Sequence, residues 1–269
     1  MPSITNALTN AEYRKVKAWS KSDLDLVHKS PSLIEWSRNA HSDGSEAVER
    51  GTTLHCAVLE SDEFKSRYAR MPDYDLRSSA GRANAESFAE SMASSGRIIQ
   101  TAKEYDLVLA MRDSIMAHPT ARAYLESNCR NEHSIFWEHE GIRLKCRPDC
   151  LPDAEVFGHV IVDVKKIADI DHLQRSIRQF RYYVQAPFYQ AGYNALYGEL
   201  PKFVFIAVGE KRSIGRHPVR VFELPLEWME KGRDEYLADL EVVKEIEEFG
   251  IGNGVEVLPM PKFTGINNR

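Results

Sequence analysis

The sequence is short of cysteine, of long apolar runs and of net positive charge, and each shortage excludes something. Four cysteines in 269 residues, Cys56, Cys129, Cys146 and Cys150, are too few to staple a disulfide scaffold, so reduced thiols are expected. No apolar run approaches the ~20 residues that span a bilayer. The N-terminal stretch MPSITNALTNAEYRKVKAW also lacks a basic segment followed by an apolar one, and a cytoplasmic protein without membrane contact is expected. The formal net charge is −5, which excludes a generally basic coat: a polyanion would have to be gripped by a local patch or through metal ions. What is present is globular composition, with 43% hydrophobic and 28% charged residues and every aromatic type, enough for a sizeable core. No internal repeat or composition break marks a second domain. One domain over residues 1–269 is expected, with 1–20 and 251–269 as peripheral tails.

Hydrophobic periodicity divides the chain into three parts. After a polar, frayed start, SKSDLDLVHKSPSLIEWSRN spaces Leu24, Val27 and His28 at helical period behind a cap at Ser20 or Ser22. From Ser45, a second helix places Val48, Thr52, Cys56 and Leu59 on one apolar face, with Gly51 and His55 on an adjoining one. The weakly periodic stretch over 60–100 reads as a mobile lid or a loop with short helices. Helical spacing resumes with Leu107, Met111 and Ile115 and breaks near Pro119. The middle then alternates on both sides of Glu140-Gly141, a hairpin signal, and HVIVDVKK is a β-branched run typical of a central strand covered on both faces. Two helical segments follow, the second closed by Gly198. Two strands, KFVFIAVGE and HPVRVFELP, and a long amphipathic helix ending at Gly250 complete the reading. The fold class is α/β, a mixed central sheet flanked by helices.

The chemistry concentrates in the middle. GIRLKCRPD reads as a strand ending at Asp149, and VIVDVKK as its neighbour, with Asp163 and Lys165 two residues apart and therefore on the same face. Asp149 and Asp163 can then converge on one hard divalent cation, magnesium being the natural choice, with Lys165 beside it. Such a group suits phosphodiester hydrolysis, because the cation activates water and screens developing charge while the ammonium orients the nucleophile.

Asp149 followed after fourteen residues by Asp163-Val164-Lys165 resembles the PD-(D/E)XK nuclease signature, here as RPD and DVK. GTTLH, giving His55, resembles the upstream Gly-x-x-x-His motif of the RecB-type branch. QAPFY, giving Gln185 and Tyr189, resembles its downstream Gln-x-x-x-Tyr motif. Together with EHSIFW, VDVKKIADI, FRYYVQAPFYQAGYNA and PKFVFIAV, these segments are most similar to the RecE-like exonucleases of that superfamily, which also includes lambda-exonuclease-type enzymes. The resemblance covers roughly residues 45 to 225. It implies a restriction-endonuclease-like fold, with magnesium, or manganese in its place, held by Asp149, Asp163 and the Val164 carbonyl. Lys165 would position the attacking water, and His55 would serve as a ligand or neighbour of a second metal. Glu132 would help to shape the metal site, with Glu138 and Glu140 competing for that part. Gln185 and Tyr189, one helical turn apart, would contact DNA near the scissile phosphate. It also implies digestion of linear double-stranded DNA from the 5′ end to leave 3′ overhangs for recombination, a RecT-like single-strand annealing partner, a phage or prophage source, and a homo-oligomeric ring, tetramer before trimer, that encloses DNA without a basic coat.

Blander readings stand beside these. A lone DVK is a common buried ion pair, and only the four motifs in order raise it above that. His55 could be a satisfied core histidine. Most of the tyrosines in YYVQAPFYQAGYNALY must be packing, whereas Gln185 amid apolar residues needs a partner. Arg175, Arg178 and Arg181 recur every three residues and form either a phosphate-tracking stripe or a solvated helix face. The four-cysteine iron–sulfur cluster of some RecB-type nucleases is excluded, because no cysteine follows Cys150. A structure-selective or single-strand nuclease on the same fold, and an inactive DNA-binding assembly protein, are the rival functions. Against the second, intact Asp149, Asp163 and Lys165 would have no physical reason to persist.

Overall fold

The computed structural model describes residues 1–39 and 46–252. The N-terminal half contains β1 (Ser3–Thr5), α1 (Asn10–Lys15), α2 (Lys21–Lys29), α3 (Ser32–Asn39), α4 (Glu46–Leu59), α5 (Ser61–Arg67), β2 (Tyr68–Arg70), α6 (Ser79–Ser94), β3 (Ile98–Gln100), α7 (Ala102–Ala117) and α8 (Pro119–Leu125). The remainder contains β4 (Arg130–Asn131), β5 (Ser134–His139), β6 (Ile142–Cys146), β7 (Cys150–Leu151), α9 (Ala154–Phe157), β8 (Val160–Ile167), α10 (Leu173–Gln179), α11 (Tyr182–Tyr197), β9 (Lys202–Gly209), β10 (Val219–Phe222) and α12 (Leu226–Phe249).

The predicted mixed sheet flanked by helices is present. Its five strands run in the order β10-β9-β8-β7-β4, with β8 and β9 parallel and the other pairs antiparallel. Parallel strands need a crossover, and α10 and α11 supply it. Because successive strand residues face opposite sides, β8 and β9 sort their side chains into two cores. Val160, Val162, Val164, Val204, Ile206 and Val208 pack with Leu54 and Ala57 of α4 and Met111 and Ile115 of α7. Ile161, Ile167, Phe203, Phe205 and Ala207 pack with Val184 and Phe188 of α11 and Leu240 of α12. On β8 that second face is interrupted by Asp163 and Lys165. A central strand spends buried positions on charge only where something else answers it.

The hairpin of β5 and β6 turns at Glu140-Gly141, both at positive φ (49° and 86°), which is the type I′ signature. It belongs to a separate three-stranded sheet, β1-β5-β6. The strand holding GIRLKC is therefore not the neighbour of β8. It ends at Cys146, and Asp149 lies in the bend before β7, which meets β8 at Cys150 opposite Val162.

Several other expectations are corrected. Residues 1–20 are not a frayed tail. β1 pairs with β5, Thr9 closes a capping box on α1, and the buried Lys145 ammonium donates to the carbonyls of Tyr13 (3.0 Å) and Val16 (2.9 Å). The cap of α2 resolves to Ser20, again through a capping box. On α4, Thr52 is exposed while Thr53, Leu54 and Ala57 are buried, because the helix is covered by both α7 and β8 and so presents a broad stripe. The side chain of Val48 and the tail from residue 253 onward lie outside what is described. The 60–100 segment is not a loop but α5, β2, α6 and β3, with β2 and β3 paired in parallel. Its periodicity is weak because α6 buries only Gly81. Cys129 and Cys150 are joined in a disulfide, against the expectation of reduced thiols throughout, while Cys56 and Cys146 are free and buried in the cores.

α11 and α12 pack closely at Gly232, where a Cβ would lie 1.8 Å from the Tyr183 carbonyl oxygen. Pro187 lacks the N–H that would bond that carbonyl within α11, and the facing helix meets the gap with its smallest residue.

Candidate active site

The site forms where β7 stops. With only two residues in β7, β8 loses its partner on that edge beyond Val162 while β9 stays paired on the other, and side chains take over at Val164. The Val164 amide donates to Asp149 Oδ2 at 2.6 Å, and the Val164 carbonyl lies 2.8 Å from His55 Nε2. A carbonyl can only accept, so His55 carries its proton on Nε2, which leaves Nδ1 with a free lone pair in the neutral ring. That nitrogen faces Asp149 Oδ1 at 3.6 Å, too long for a hydrogen bond. Glu132 completes the group: its amide donates to the Asp149 carbonyl at 3.1 Å, and it sits at positive φ (51°). Single ligand atoms of His55, Glu132 and Asp149 lie within 4.8 Å of one another.

On the adjoining face of the same strand, Asp163 is 1% exposed. It ion-pairs with Lys165 and accepts a hydrogen bond from Gln185 Nε2 at 2.6 Å. The amide of Gln185, buried on α11, thus has the partner its surroundings demanded. Lys165 Nζ also lies 4.9 Å from the centroid of the Tyr182 ring, close enough for a cation–π contact.

The electrostatics are unbalanced in one direction. Burial, reinforced by Asp149, pushes Glu132 up to about 8. Burial also pushes Asp163 up to about 6, with Lys165 opposing and Asp149 adding to the shift. Burial disfavours the Lys165 ammonium, yet Asp163 and Asp149 outweigh it and hold its pKa above the usual value. The donor set fits a divalent cation. One imidazole nitrogen with a free lone pair and two carboxylates converge, and burial beside Asp149 holds Glu132 at raised proton affinity.

The expected residues are distributed as follows. Asp149 and His55 are in the metal-competent group, and Glu132 rather than Glu138 or Glu140 joins them, since the latter two are exposed on the hairpin and Glu140 pairs with Lys244. Asp163 lies outside that group, and the Val164 carbonyl is turned to His55. Tyr189 is half-buried one turn from Gln185, packed on Phe188 and Phe203. Arg175 and Arg178 are exposed on α10. Arg181 leaves the stripe: it caps α11 in a left-handed conformation, 8% exposed, and binds Asp25 (3.0 Å), Glu235 (3.3 Å) and Asp239 (2.7 Å). The change of backbone direction between α10 and α11 breaks the three-residue spacing. Tyr182 was missed, although its position three residues before Gln185 on one helix face could have suggested it.

With this geometry, the comparisons with known proteins can be read. Residues 16–250 match the family described as a PDDEXK-like domain of unknown function (DUF3799). The crystal structure of a candidate exonuclease from Eubacterium rectale superposes with a TM-score of 0.66 at 14% identity, covering 94% of this chain and 96% of that one. An alkaline exonuclease from Laribacter hongkongensis, 15% identical over 73% of this chain and 95% of that one, gives a TM-score of 0.30, too low to argue from. Among curated proteins no sequence matches significantly.

Proposed function

The chain belongs to the PDDEXK-like family DUF3799, a domain family of unknown function, and from that premise we propose that it is a metal-dependent deoxyribonuclease. One observation carries the reading: a metal-competent trio, His55, Glu132 and Asp149, and a half-buried ammonium, Lys165, flank the same strand β8. Phosphodiester hydrolysis needs both, positive charge for the phosphoryl oxygens and a positioned group for the nucleophile. A divalent cation, magnesium or manganese, would be held by those three residues and would supply Lewis acidity toward water and phosphate.

The chain's own residues do the rest. Asp163, fixed by Gln185, holds the Lys165 ammonium in place, where it would position the attacking water. His55 donates an Nε2–H hydrogen bond to the Val164 carbonyl, which orients the ring so that Nδ1 is the nitrogen turned to the cation. Asp149 is locked by the Val164 amide and cannot swing away. Arg175 and Arg178, exposed on α10, are placed to meet backbone phosphates.

In its finer form the proposal is an exonuclease that degrades linear double-stranded DNA from the 5′ end and leaves 3′ overhangs for a RecT-like annealing protein. The ordered resemblance of GTTLH, CRPD, DVK and QAPFY supports this form. A homo-oligomeric ring, tetramer before trimer, agrees with the net charge of −5, since enclosure can replace an electrostatic grip. The test is digestion of linear duplexes labelled at the 5′ or 3′ end, against a closed circle, with magnesium or EDTA, for wild type and Lys165→Ala. Early release of 5′ label, an intact circle and a rate lower by on the order of a thousand-fold in the variant are expected. A cut circle would make the enzyme an endonuclease, and equal rates for the two proteins would refute the site.

A further inference from the structure

Resting on the nuclease reading, we infer that Phe180, stacked on Tyr182 beside Lys165, is a platform for an unpaired nucleobase at the end of the strand being cut. Single exposed apolar side chains are ordinary, and Leu200, Ile214 and Phe249 need no explanation. Phe180 differs from them in three ways. Its ring, 50% exposed, stacks on Tyr182 at 5.7 Å between centroids and 26° between planes. Tyr182 in turn lies under the Lys165 ammonium, so the open ring is two contacts from the proposed chemistry. Finally, Phe180 does not sit on a loose loop. Its carbonyl accepts from the buried Lys21 ammonium at 2.6 Å, and the next residue is Arg181, left-handed and clamped by three carboxylates.

Such a turn is costly to build, because a left-handed arginine is strained and two buried cations must be compensated. It holds an aromatic ring in water beside the Tyr182–Lys165 pair. Bases stack on aromatic rings with little sequence preference, and Arg175 and Arg178, exposed on the preceding helix, supply charge for the phosphates of the same strand. Within a duplex both faces of a base are covered by its neighbours. Only a terminal or unpaired base has a face to offer, so the platform selects frayed or overhanging ends over continuous duplex.

The experiment measures binding in EDTA, where nothing is cut. The probes are a duplex bearing an unpaired 2-aminopurine at its end and a closed circular duplex without ends. Phe180→Ala should bind the unpaired end roughly 5- to 150-fold more weakly, the worth of one base–aromatic stack, should lose the 2-aminopurine quenching, and should bind the circle as wild type does. Phe180→Trp should retain the tight binding. Both variants should fold, because the turn is pinned by the Phe180 carbonyl and by Arg181 rather than by the ring. Phe180→Ala binding the unpaired end within about twofold of wild type, or weakened equally on the circle, would overturn the platform while leaving the nuclease reading intact. Wild type that neither binds nor cuts DNA would overturn both.

Discussion

Replacing Arg181 with methionine separates two readings of one residue. As part of a phosphate-tracking stripe, Arg181 would contribute to DNA affinity and nothing to stability. As the clamp between α2, the start of α11 and α12, it should do the opposite. The magnitude follows from its partners. Asp25 keeps Lys21 at 2.6 Å, and Glu235 keeps Lys231 at 2.8 Å and the Tyr183 hydroxyl at 2.7 Å, so both survive the loss. Asp239, 4% exposed, keeps only His28 at 2.9 Å among the described residues. Leaving one such carboxylate buried costs about 3–5 kcal/mol, against about 0–1 kcal/mol for an exposed pair. Urea denaturation at neutral pH should therefore show Arg181→Met about 3 kcal/mol less stable with an unchanged m-value, and the salt dependence of DNA binding should not move. Burial raises the Glu235 pKa, but Lys231, Tyr183 and Arg181 overcome it and hold the carboxylate below 4.5. Its stabilising part is present above that pH and is lost as pH falls through the lowered value, so the gap between wild type and variant should narrow in acid. A loss under about 1 kcal/mol, with a salt slope smaller by about one charge, would refute the clamp and restore the stripe.

Gly232→Ala should destabilise the fold by about 1–3 kcal/mol in thermal or denaturant melts, since its Cβ would meet the Tyr183 carbonyl oxygen at 1.8 Å. The gain in helix propensity of about 1 kcal/mol cannot offset a backbone collision, and a variant as stable as wild type would show that α12 does not pack there. Glu132→Gln should weaken magnesium or manganese binding roughly tenfold or more by calorimetry. In EDTA it should have the opposite effect on stability: with a folded pKa raised from 4.5 to about 8, wild type loses stability as pH rises through that window, and the glutamine variant should not. Parallel pH–stability curves for the two proteins would refute it.

The architecture was legible wherever burial leaves a regular apolar pattern in the sequence. β8 and β9 announced themselves as continuous β-branched and apolar runs because both their faces are covered, and Glu140-Gly141 announced a turn that needs two positive φ angles. α6 was illegible for the complementary reason: it buries almost nothing, so no stripe marks it. The N-terminal segment looked frayed because its attachments are backbone pairing with β5 and the carbonyls that Lys145 collects, neither of which leaves an apolar pattern. That Asp149, Asp163, Lys165 and His55 come together around β8 was legible in their motif spacing. The partition of the two aspartates was not, since it depends on where β7 stops. Nor was the fate of Arg181, whose partners lie 156 and 58 positions away in sequence, at Asp25 and Asp239.

The partition also bears on how many cations the site takes. Glu132, Asp149 and Asp163 bring three negative charges when ionised. Lys165 brings one positive charge, and His55, with Nε2–H on the Val164 carbonyl, is neutral in its ligand-ready form. The balance is −2, and it sits largely out of water, where uncompensated charge is expensive. The raised proton affinities of Glu132 and Asp163 express that balance: without a cation, protons are the available answer. A single divalent ion cancels it. A second would leave the cluster positive until a DNA phosphate arrived, so it is expected to bind only together with the substrate. Calorimetry should then give one tight site without DNA, and a second only in the presence of an uncleavable duplex end. Two tight sites in the protein alone would mean that the charge count is wrong.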